Sequence, residues 1–319
     1  MLISILIVTA GFVLLIKGAD WLVTGSSALA KKYNVSDLVI GLTIVSFGTS
    51  APELVVNSVA SYQQHSEIVF GNVLGSNIVN LFLILGITGM VNPIIVHTNT
   101  VWKEIPVSLL AVIVLFFLAN GFNPVQNNVL SRTDGLVLLL FFAGFLYYIY
   151  RQMRVDRNDP ENLAIVMQPG WKIAVLIFTG LAGLIIGGKL VVDNAIKIAS
   201  ELGVSEKIIG LTIIAIGTSL PELMTSVVAA VKKNSDIALG NIIGSNIFNI
   251  LFILSVSALV NPVQYNPSFN LEHYILAGGT LVLFIAMFTG GKKRLDRWEA
   301  FILLAIYIIY TIYLVSREI

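Results

Sequence analysis

The chain has 319 residues, of which 56% are hydrophobic and only 12% are charged, and its mean hydropathy is +0.89. Soluble domains contain roughly 45–50% apolar and about 25% charged residues, so this composition indicates an integral membrane protein. The formal net charge is +1, and there is no cysteine. These values argue against a basic nucleic-acid-binding face and exclude disulfides and thiolate metal sites.

Ten apolar runs follow one another along the chain. They lie at 2–30, 38–60, 69–91, 105–119, 135–150, 171–196, 208–231, 237–260, 273–290 and 299–316. A helix of about 20 apolar residues spans a bilayer, so the runs at 105–119, 135–150 and 273–290 are short for a full crossing. The first run has no basic segment before it and is longer than the about 7–15 apolar residues of a signal peptide. The pattern predicts an all-α integral membrane protein with ten transmembrane helices.

Lysine and arginine are distributed unequally between alternate loops. One set of loops contains Lys31, Lys32, Lys103, Arg151, Arg154, Arg157, Lys172, Lys232, Lys233, Lys292, Lys293, Arg294 and Arg297, and the other contains Arg132, Lys197, Lys207 and Arg317. Positive residues concentrate in cytoplasmic loops. The distribution therefore predicts a multi-pass protein of the cell (plasma) membrane with both termini extracellular.

The sequence repeats itself at an offset of 169 residues. The segment "VIGLTIVSFGTSAPEL" from Val39 aligns with "IIGLTIIAIGTSLPEL" from Ile208, and "IVFGNVLGSNIVN" from Ile68 aligns with "IALGNIIGSNIFN" from Ile237. The repeat divides the chain into residues 1–150, a short cytoplasmic linker 151–170, and residues 171–319. Because each half carries five runs, an odd number, the second half enters the membrane from the opposite side. The halves are thus predicted to be inverted repeats whose broken helices meet near the membrane midplane, as in many transporters.

Each copy of the first motif places a proline and a glutamate inside an apolar run. Pro52 lacks the amide that would bond to the carbonyl of Gly48, so the helix is expected to break and release backbone oxygens. Such oxygens must face protein or a water-filled cavity at membrane depth. Thr49 and Ser50 precede Glu53 by four and three residues, which puts hydroxyls and carboxylate on nearly one face. Thr218, Ser219 and Glu222 repeat this arrangement.

The second motif adds neutral oxygens. Gly71 and Gly75 have the spacing that allows two helices to approach closely, and Ser76 and Asn80 lie one turn apart. The second copy supplies Gly240, Gly244, Ser245 and Asn249. With no cysteine or histidine near these motifs, the available ligands are all oxygen, which suits Na⁺ or Ca²⁺ rather than zinc or copper.

Each feature also has a simpler interpretation. A proline in a membrane helix is most often a kink, and glycine pairs most often serve packing. A glutamate within the membrane is different, because its burial costs several kcal/mol unless it is paired or ligated. Lys17 with Asp20, and Lys189 with Asp193, have the spacing of ion pairs on a helix or of snorkelling groups.

The motifs "GTSAPE" and "GTSLPE", each followed by "GN", "GSN" and a final asparagine, resemble those of the sodium/calcium exchangers of the cation/calcium antiporter superfamily. The resemblance extends over essentially all ten runs. It implies a central Ca²⁺ site formed by Glu53 and Glu222 with backbone oxygens of Thr49 and Thr218. It implies flanking Na⁺ sites that use Ser50, Ser76, Ser219, Ser245 and the carbonyls of Ser46 and Ala215. It also implies that the first and sixth helices slide past a fixed core.

One position separates the branches of this superfamily. Potassium-dependent exchangers and some microbial relatives carry aspartate where this chain has Asn249, the equivalent of Asn80. The absence of a third carboxylate leads us to expect no K⁺ requirement. The proton/calcium branch resembles "GNxxE", with a carboxylate where Ser76 and Ser245 stand, and is therefore disfavoured. The linker is also too short for a calcium-sensing domain.

Together these features favour a secondary antiporter in which inward Na⁺ movement drives Ca²⁺ out, with charge movement. The alternatives are H⁺/Ca²⁺ antiport, K⁺-dependent Na⁺/Ca²⁺ antiport and, less favoured, a passive cation channel, which would gain nothing from inverted halves. An intramembrane hydrolase lacks a nucleophile and base beside the acids. We expect no enzymatic activity, no cofactor, no nucleic acid and no obligate protein partner; the expected substrates are Ca²⁺ and Na⁺, handled within a lipid bilayer.

Overall fold

The computed structural model describes residues 1–96, 100–121, 128–156, 168–203, 215–289 and 293–318, and these are almost entirely helical. The helices are α1 (Leu2–Tyr33), α2 (Asp37–Thr49), α3 (Ala51–Tyr62), α4 (Ser66–Val91), α5 (Thr100–Asn120), α6 (Arg132–Asp156), α7 (Gly170–Glu201), α8 (Ala215–Gly217), α9 (Leu220–Val231), α10 (Ser235–Val260), α11 (Asn270–Ala286) and α12 (Arg297–Glu318). A short 3₁₀ turn, Pro267–Phe269, precedes α11.

The predicted all-helical membrane protein is confirmed. In the described part of the chain, 8 helices are long and apolar enough to cross a membrane, or up to 9 if the bent pair α2 and α3 is one span. The runs that were short in sequence extend to full-length helices, with 21 residues in α5 and 25 in α6. The predicted run 208–231 is described only from residue 215, so the count of ten helices stays a prediction.

Helices α4 and α10 form the centre of the molecule. Most of their middle stretches is buried, whereas less than a third of those of α1, α6 and α12 is buried, as expected for helices that face lipid. A methyl group built on Gly240 would lie 2.9 Å from the carbonyl oxygen of Leu38, and one on Gly244 would lie 2.7 Å from the hydroxyl of Ser46. The predicted close approach therefore occurs between α10 and α2. The segment equivalent to this part of α2 lies outside the described residues, so the close approach expected at Gly71 and Gly75 stays a prediction.

Two short antiparallel ladders join the ends of the central helices to distant parts of the chain. Strand β1 (Ile94–Ile95), which follows α4, pairs with β4 (Arg294–Leu295) before α12. Strand β3 (Val263–Gln264), which follows α10, pairs with β2 (Val129–Leu130) before α6. Each central helix is thus tied to the last helix of the other half of the sequence.

Helices α1 and α7 pack together along a seam of glycines. A methyl group on Gly18 would lie 2.8 Å from the carbonyl oxygen of Gly180, and one on Gly187 would lie 2.8 Å from that of Gly11. Residues early in α1 meet residues late in α7, so the two helices run antiparallel. Real Cβ atoms essentially never approach this closely, so only glycine allows the two backbones to meet.

Asp20 of α1 does not use the intrahelical partner that its spacing suggested. Its carboxylate pairs with the Nζ of Lys232, just after α9, at 2.7 Å. The same Nζ donates hydrogen bonds to the carbonyl of Asp20 at 3.0 Å and to the hydroxyl of Thr24 at 2.7 Å. Close by, Asn234 donates to Ser27. Spacing along one helix cannot reveal a partner on another helix, so the contact that Asp20 makes with Lys232 was not among the interpretations that the spacing offered, which were an ion pair with Lys17 or a snorkelling group.

Candidate cation-binding site

The two proline motifs break their helices in the same way. Helices α2 and α3 are bent by 48° at Ser50, whose φ and ψ are −85° and 8°. Ser219, between α8 and α9, has almost the same values, −87° and 5°. Each proline stands at the first turn of the helix that follows, where a missing amide costs least. The predicted helix break is therefore present in both copies.

The two glutamates of these motifs lie at a buried junction between the halves. Glu53 and Glu222 are each only 1% exposed. The hydroxyl of Ser50 donates to Oε1 of Glu222 at 2.8 Å, and that of Ser245 lies 3.5 Å from the same oxygen. A side chain from each half therefore contacts one carboxylate, and Ser50 is only three residues from the other.

Many oxygen atoms of the predicted site residues have no hydrogen-bond partner within the described structure. They are both carboxylate oxygens of Glu53, Oε2 of Glu222, the hydroxyls of Ser76 and Ser219, and the amide oxygens of Asn80 and Asn249. Leaving one such buried atom unpaired costs about 1–3 kcal/mol, and more for a charged group. Hard cations bind carboxylate, hydroxyl and amide oxygens. The donor set therefore fits Na⁺ or Ca²⁺ as cargo.

Matching hydrogen bonds connect each motif to the other half. Thr49 donates to the amide oxygen of Asn241 at 3.0 Å, and Thr218, its repeat equivalent, lies 3.4 Å from the amide oxygen of Asn72. The amide nitrogen of Asn241 in turn donates to the main-chain carbonyl of Glu222 at 3.3 Å. These contacts fix the broken helices against α4 and α10.

Both central helices widen into a π-helical turn beside the site. The turns are Val79–Ile84 in α4 and Asn249–Ile253 in α10, at equivalent positions of the repeat. Asn80 and Asn249 lie at the start of these turns and are each 1% exposed. Single π-helical turns are rare and occur frequently at functional sites.

Two further asparagines, which the sequence had not assigned to the site, connect α4 to α10. The side-chain nitrogen of Asn77 donates to the main-chain carbonyl of Asn246 at 3.2 Å, and that of Asn246 to the carbonyl of Asn77 at 3.5 Å. Both belong to the "GSN" motif, of which only the serine had been assigned to an ion. The recurrence of asparagine at both positions was the available signal.

The resemblance implies the main-chain carbonyls of Ser46 and Ala215 as Na⁺ ligands, and the structure describes the surroundings of the first more fully than those of the second. The carbonyl of Ser46 accepts a hydrogen bond from the amide of Ser50 at 3.0 Å, and the Thr49 hydroxyl lies 3.3 Å from it. Ala215 begins α8, and its side chain is not among the described ones. The assignment of individual ions to individual residues stays a prediction for all site residues.

A family model described as sodium/calcium exchanger protein matches residues 3–151 and 172–316. The chain is 38% identical over 99% of its length to the putative antiporter CaxA of Alkalimonas amylolytica, all of which is covered. It is 32% identical to the sodium/calcium exchanger MaX1 of Methanosarcina acetivorans, with 98% of each chain covered.

Solved structures give the same result. The chain superposes on a structure of the sodium-calcium exchanger NCX_Mj with a TM-score of 0.82 and 36% identity, covering 98% of this chain and 99% of that one. The family's members are transporters rather than enzymes, and their substrates are Na⁺ and Ca²⁺ with no cofactor implied. The protein is a multi-pass membrane protein that belongs to the sodium/calcium exchanger family.

Proposed function

We propose that the protein exchanges Na⁺ for Ca²⁺ by alternating access, that the exchange moves net charge, and that it needs no K⁺. The observation that carries the proposal is the buried junction at Glu53 and Glu222, where carboxylate, hydroxyl and amide oxygens from both halves have no partner among the described residues. The resemblance to exchangers of known structure supports the same assignment.

The charge of the site explains why the two ions exclude each other. Two ionised carboxylates carry a charge near −2, which one Ca²⁺ or several Na⁺ can balance, whereas both together would overfill the site. If the protein changes conformation only when at least this charge is balanced, the two ion flows are coupled. The net charge movement that we propose requires more than two Na⁺ per Ca²⁺, which is what the resemblance to sodium/calcium exchangers implies. Na⁺ entry with its gradient then drives Ca²⁺ out. The described part of the chain contains no cluster of three or more His, Cys, Asp or Glu side chains placed to hold a metal ion. The proposed site therefore consists of two acids together with neutral oxygens.

The proposed architecture is two inverted five-helix repeats, 1–150 and 171–319, with ten spans and both termini outside the cell. Its support is reciprocity: Thr49 with Asn241 matches Thr218 with Asn72, and the strand pairing β1–β4 matches β3–β2. Two-fold related halves produce such paired contacts. The linker 151–170 would then lie in the cytoplasm.

Among the described residues, helix α1 is hydrogen-bonded to the core and helix α7 is not, and this difference supports an outward-facing state. Lys232, after α9, ties α1 to the core through Asp20 and Thr24. Helices α7 and α3 are the repeat equivalents of α1 and α9, and no hydrogen bond joins the described residues of α7 and α3. In the proposed topology Lys232 is cytoplasmic, so the cytoplasmic side is closed and the α7–α3 side faces outward. Sliding of α1 and α7 would reverse this.

Flux measurements in sealed proteoliposomes test the proposal. Vesicles loaded with Na⁺ and diluted into Na⁺-free buffer with Ca²⁺ should take up Ca²⁺, and a K⁺ diffusion potential should change the initial rate in the direction that net charge movement requires. A proton gradient alone should drive no uptake. Uptake that depends on the proton gradient and not on Na⁺ would replace this proposal with proton/calcium antiport, and uptake without any counter-ion would indicate a channel.

A further inference from the structure

Four asparagines form a closed set of hydrogen bonds where α4 and α10 meet. The Nδ2 of Asn77 donates to the main-chain carbonyl of Asn246, and the Nδ2 of Asn246 donates to that of Asn77. A carbonyl oxygen only accepts hydrogen bonds. These two contacts therefore determine which end of each amide is nitrogen and which is oxygen.

The orientation of these two amides determines that of two others. The Oδ1 of Asn77 accepts a hydrogen bond from the Nδ2 of Asn249 at 2.9 Å, and the Oδ1 of Asn246 accepts one from the Nδ2 of Asn80 at 3.1 Å. Each site asparagine thus has its nitrogen engaged. Its oxygen is buried and has no partner among the described residues.

We propose that Asn77 and Asn246 are positioning residues that hold the amide oxygens of Asn249 and Asn80 toward the transported cation. This inference rests on the proposed ion site and extends it to residues that need not touch the ion. Without Asn77, the amide of Asn249 can rotate by half a turn and present its NH₂ group, whose hydrogens carry partial positive charge and repel a cation.

The proposal is tested by a double-mutant cycle on Asn77 and Asn249. Purified Asn77→Ala, Asn249→Ala and the double variant are titrated with CaCl₂ and, separately, with NaCl, and thermal unfolding is followed, because a bound ion stabilises the folded state by mass action. We expect each single variant to raise the half-stabilising concentration of at least one ion about tenfold. Because Asn77 acts through Asn249, the double variant should resemble Asn249→Ala alone.

Asn120→Ala is the matched control. The side-chain amides of Asn120 and Asn270 donate hydrogen bonds to each other, with lengths of 3.0 and 3.1 Å, and neither residue belongs to the proposed ion site. The variant therefore removes a comparable pair of hydrogen bonds and should leave the ion titrations unchanged. An additive double variant, or an unchanged Asn77→Ala, would overturn the inference.

The repeat provides a second, independent cycle. If Asn77→Ala does not fold, the same measurements on Asn246 and Asn80 decide the question. Failure of the proposed function would look different, because wild-type protein itself would then not be stabilised by CaCl₂, by NaCl, or by either.

Discussion

Ser50, in the first half of the sequence, donates a hydrogen bond to Oε1 of Glu222, in the second half, at 2.8 Å. This contact places a hydroxyl that precedes Glu53 by three residues against the other glutamate. Both halves therefore contribute to the proposed ion site, and we expect a change in one glutamate to affect ligands from both halves.

Glu53→Gln and Glu222→Gln should each abolish Na⁺-driven Ca²⁺ uptake while leaving the protein folded. Glutamine keeps the shape of glutamate but halves the charge available to a divalent ion. Without ions, each variant should melt a few degrees higher than wild type, because a buried carboxylate without a counter-charge is destabilising. Glu67→Gln removes an exposed carboxylate and is the control. Normal exchange in either site variant would eliminate the central site as described.

Replacing K⁺ by an inert organic cation should leave wild-type uptake unchanged, since the site has only two carboxylates. Asn249→Asp should make transport more sensitive to pH. The aspartate oxygen that replaces the Nδ2 of Asn249 would face the Oδ1 of Asn77, which accepts a hydrogen bond in the wild type. Only a protonated carboxyl can donate that hydrogen bond. At low pH the variant should therefore resemble wild type, and it should diverge as pH rises and a third negative charge appears. An absolute K⁺ requirement in wild type would contradict the assignment within the family.

Tags at the two termini should both be accessible from outside intact cells, and a tag inserted near Arg157 should not. The uneven distribution of lysine and arginine motivates this prediction. Protease protection before and after permeabilisation is the measurement. Termini on opposite sides would mean an odd number of spans, and the inverted arrangement would then be wrong.

Lys232→Met should loosen the contact between α1 and α9 without unfolding the protein. The side chains of Lys232 and Asp20 are 32% and 44% exposed, so the pair contributes at most about 1 kcal/mol, or a fivefold change in an equilibrium. Ala28 of α1 is partly buried against the apolar cluster that includes Ala229 of α9. Because the chain has no cysteine, a cysteine introduced at Ala28 can be labelled without background, and its labelling should accelerate up to about fivefold. Lys233→Met should have no such effect, and exchanging Asp20 and Lys232 should restore the slow rate. Acceleration by both lysine variants would mean that charge alone, not the pair, is responsible.

The sequence predicted the chemistry of the site better than its contacts. Glu53, Pro52 and their equivalents were recognisable because polar residues are conspicuous in apolar helices, and the offset of 169 residues marked them as a pair. The hydrogen bond from Thr49 to Asn241 was not predictable, because it depends on how α2 packs against α10.

Two other features were missed for related physical reasons. The side-chain nitrogens of Asn77 and Asn246 donate to one another's main-chain carbonyls, and residue type alone does not reveal a partner that is a carbonyl. The π-helical turns arise where a helix takes up one extra residue per turn, and the periodicity of an apolar run is too uniform to show this. In each case the missing information lies in tertiary packing.

The glycine seam between α1 and α7 has a mechanical consequence. Gly18 and Gly180 bring the two backbones so close that a methyl group on either residue would clash with the other helix, so we expect the two helices to shift together. If the two helices slide as the resemblance to sodium/calcium exchangers implies, we expect them to move together as one rigid unit. Such a unit would open one end of the proposed ion site while it closes the other, which would guard against a leak through both ends at once.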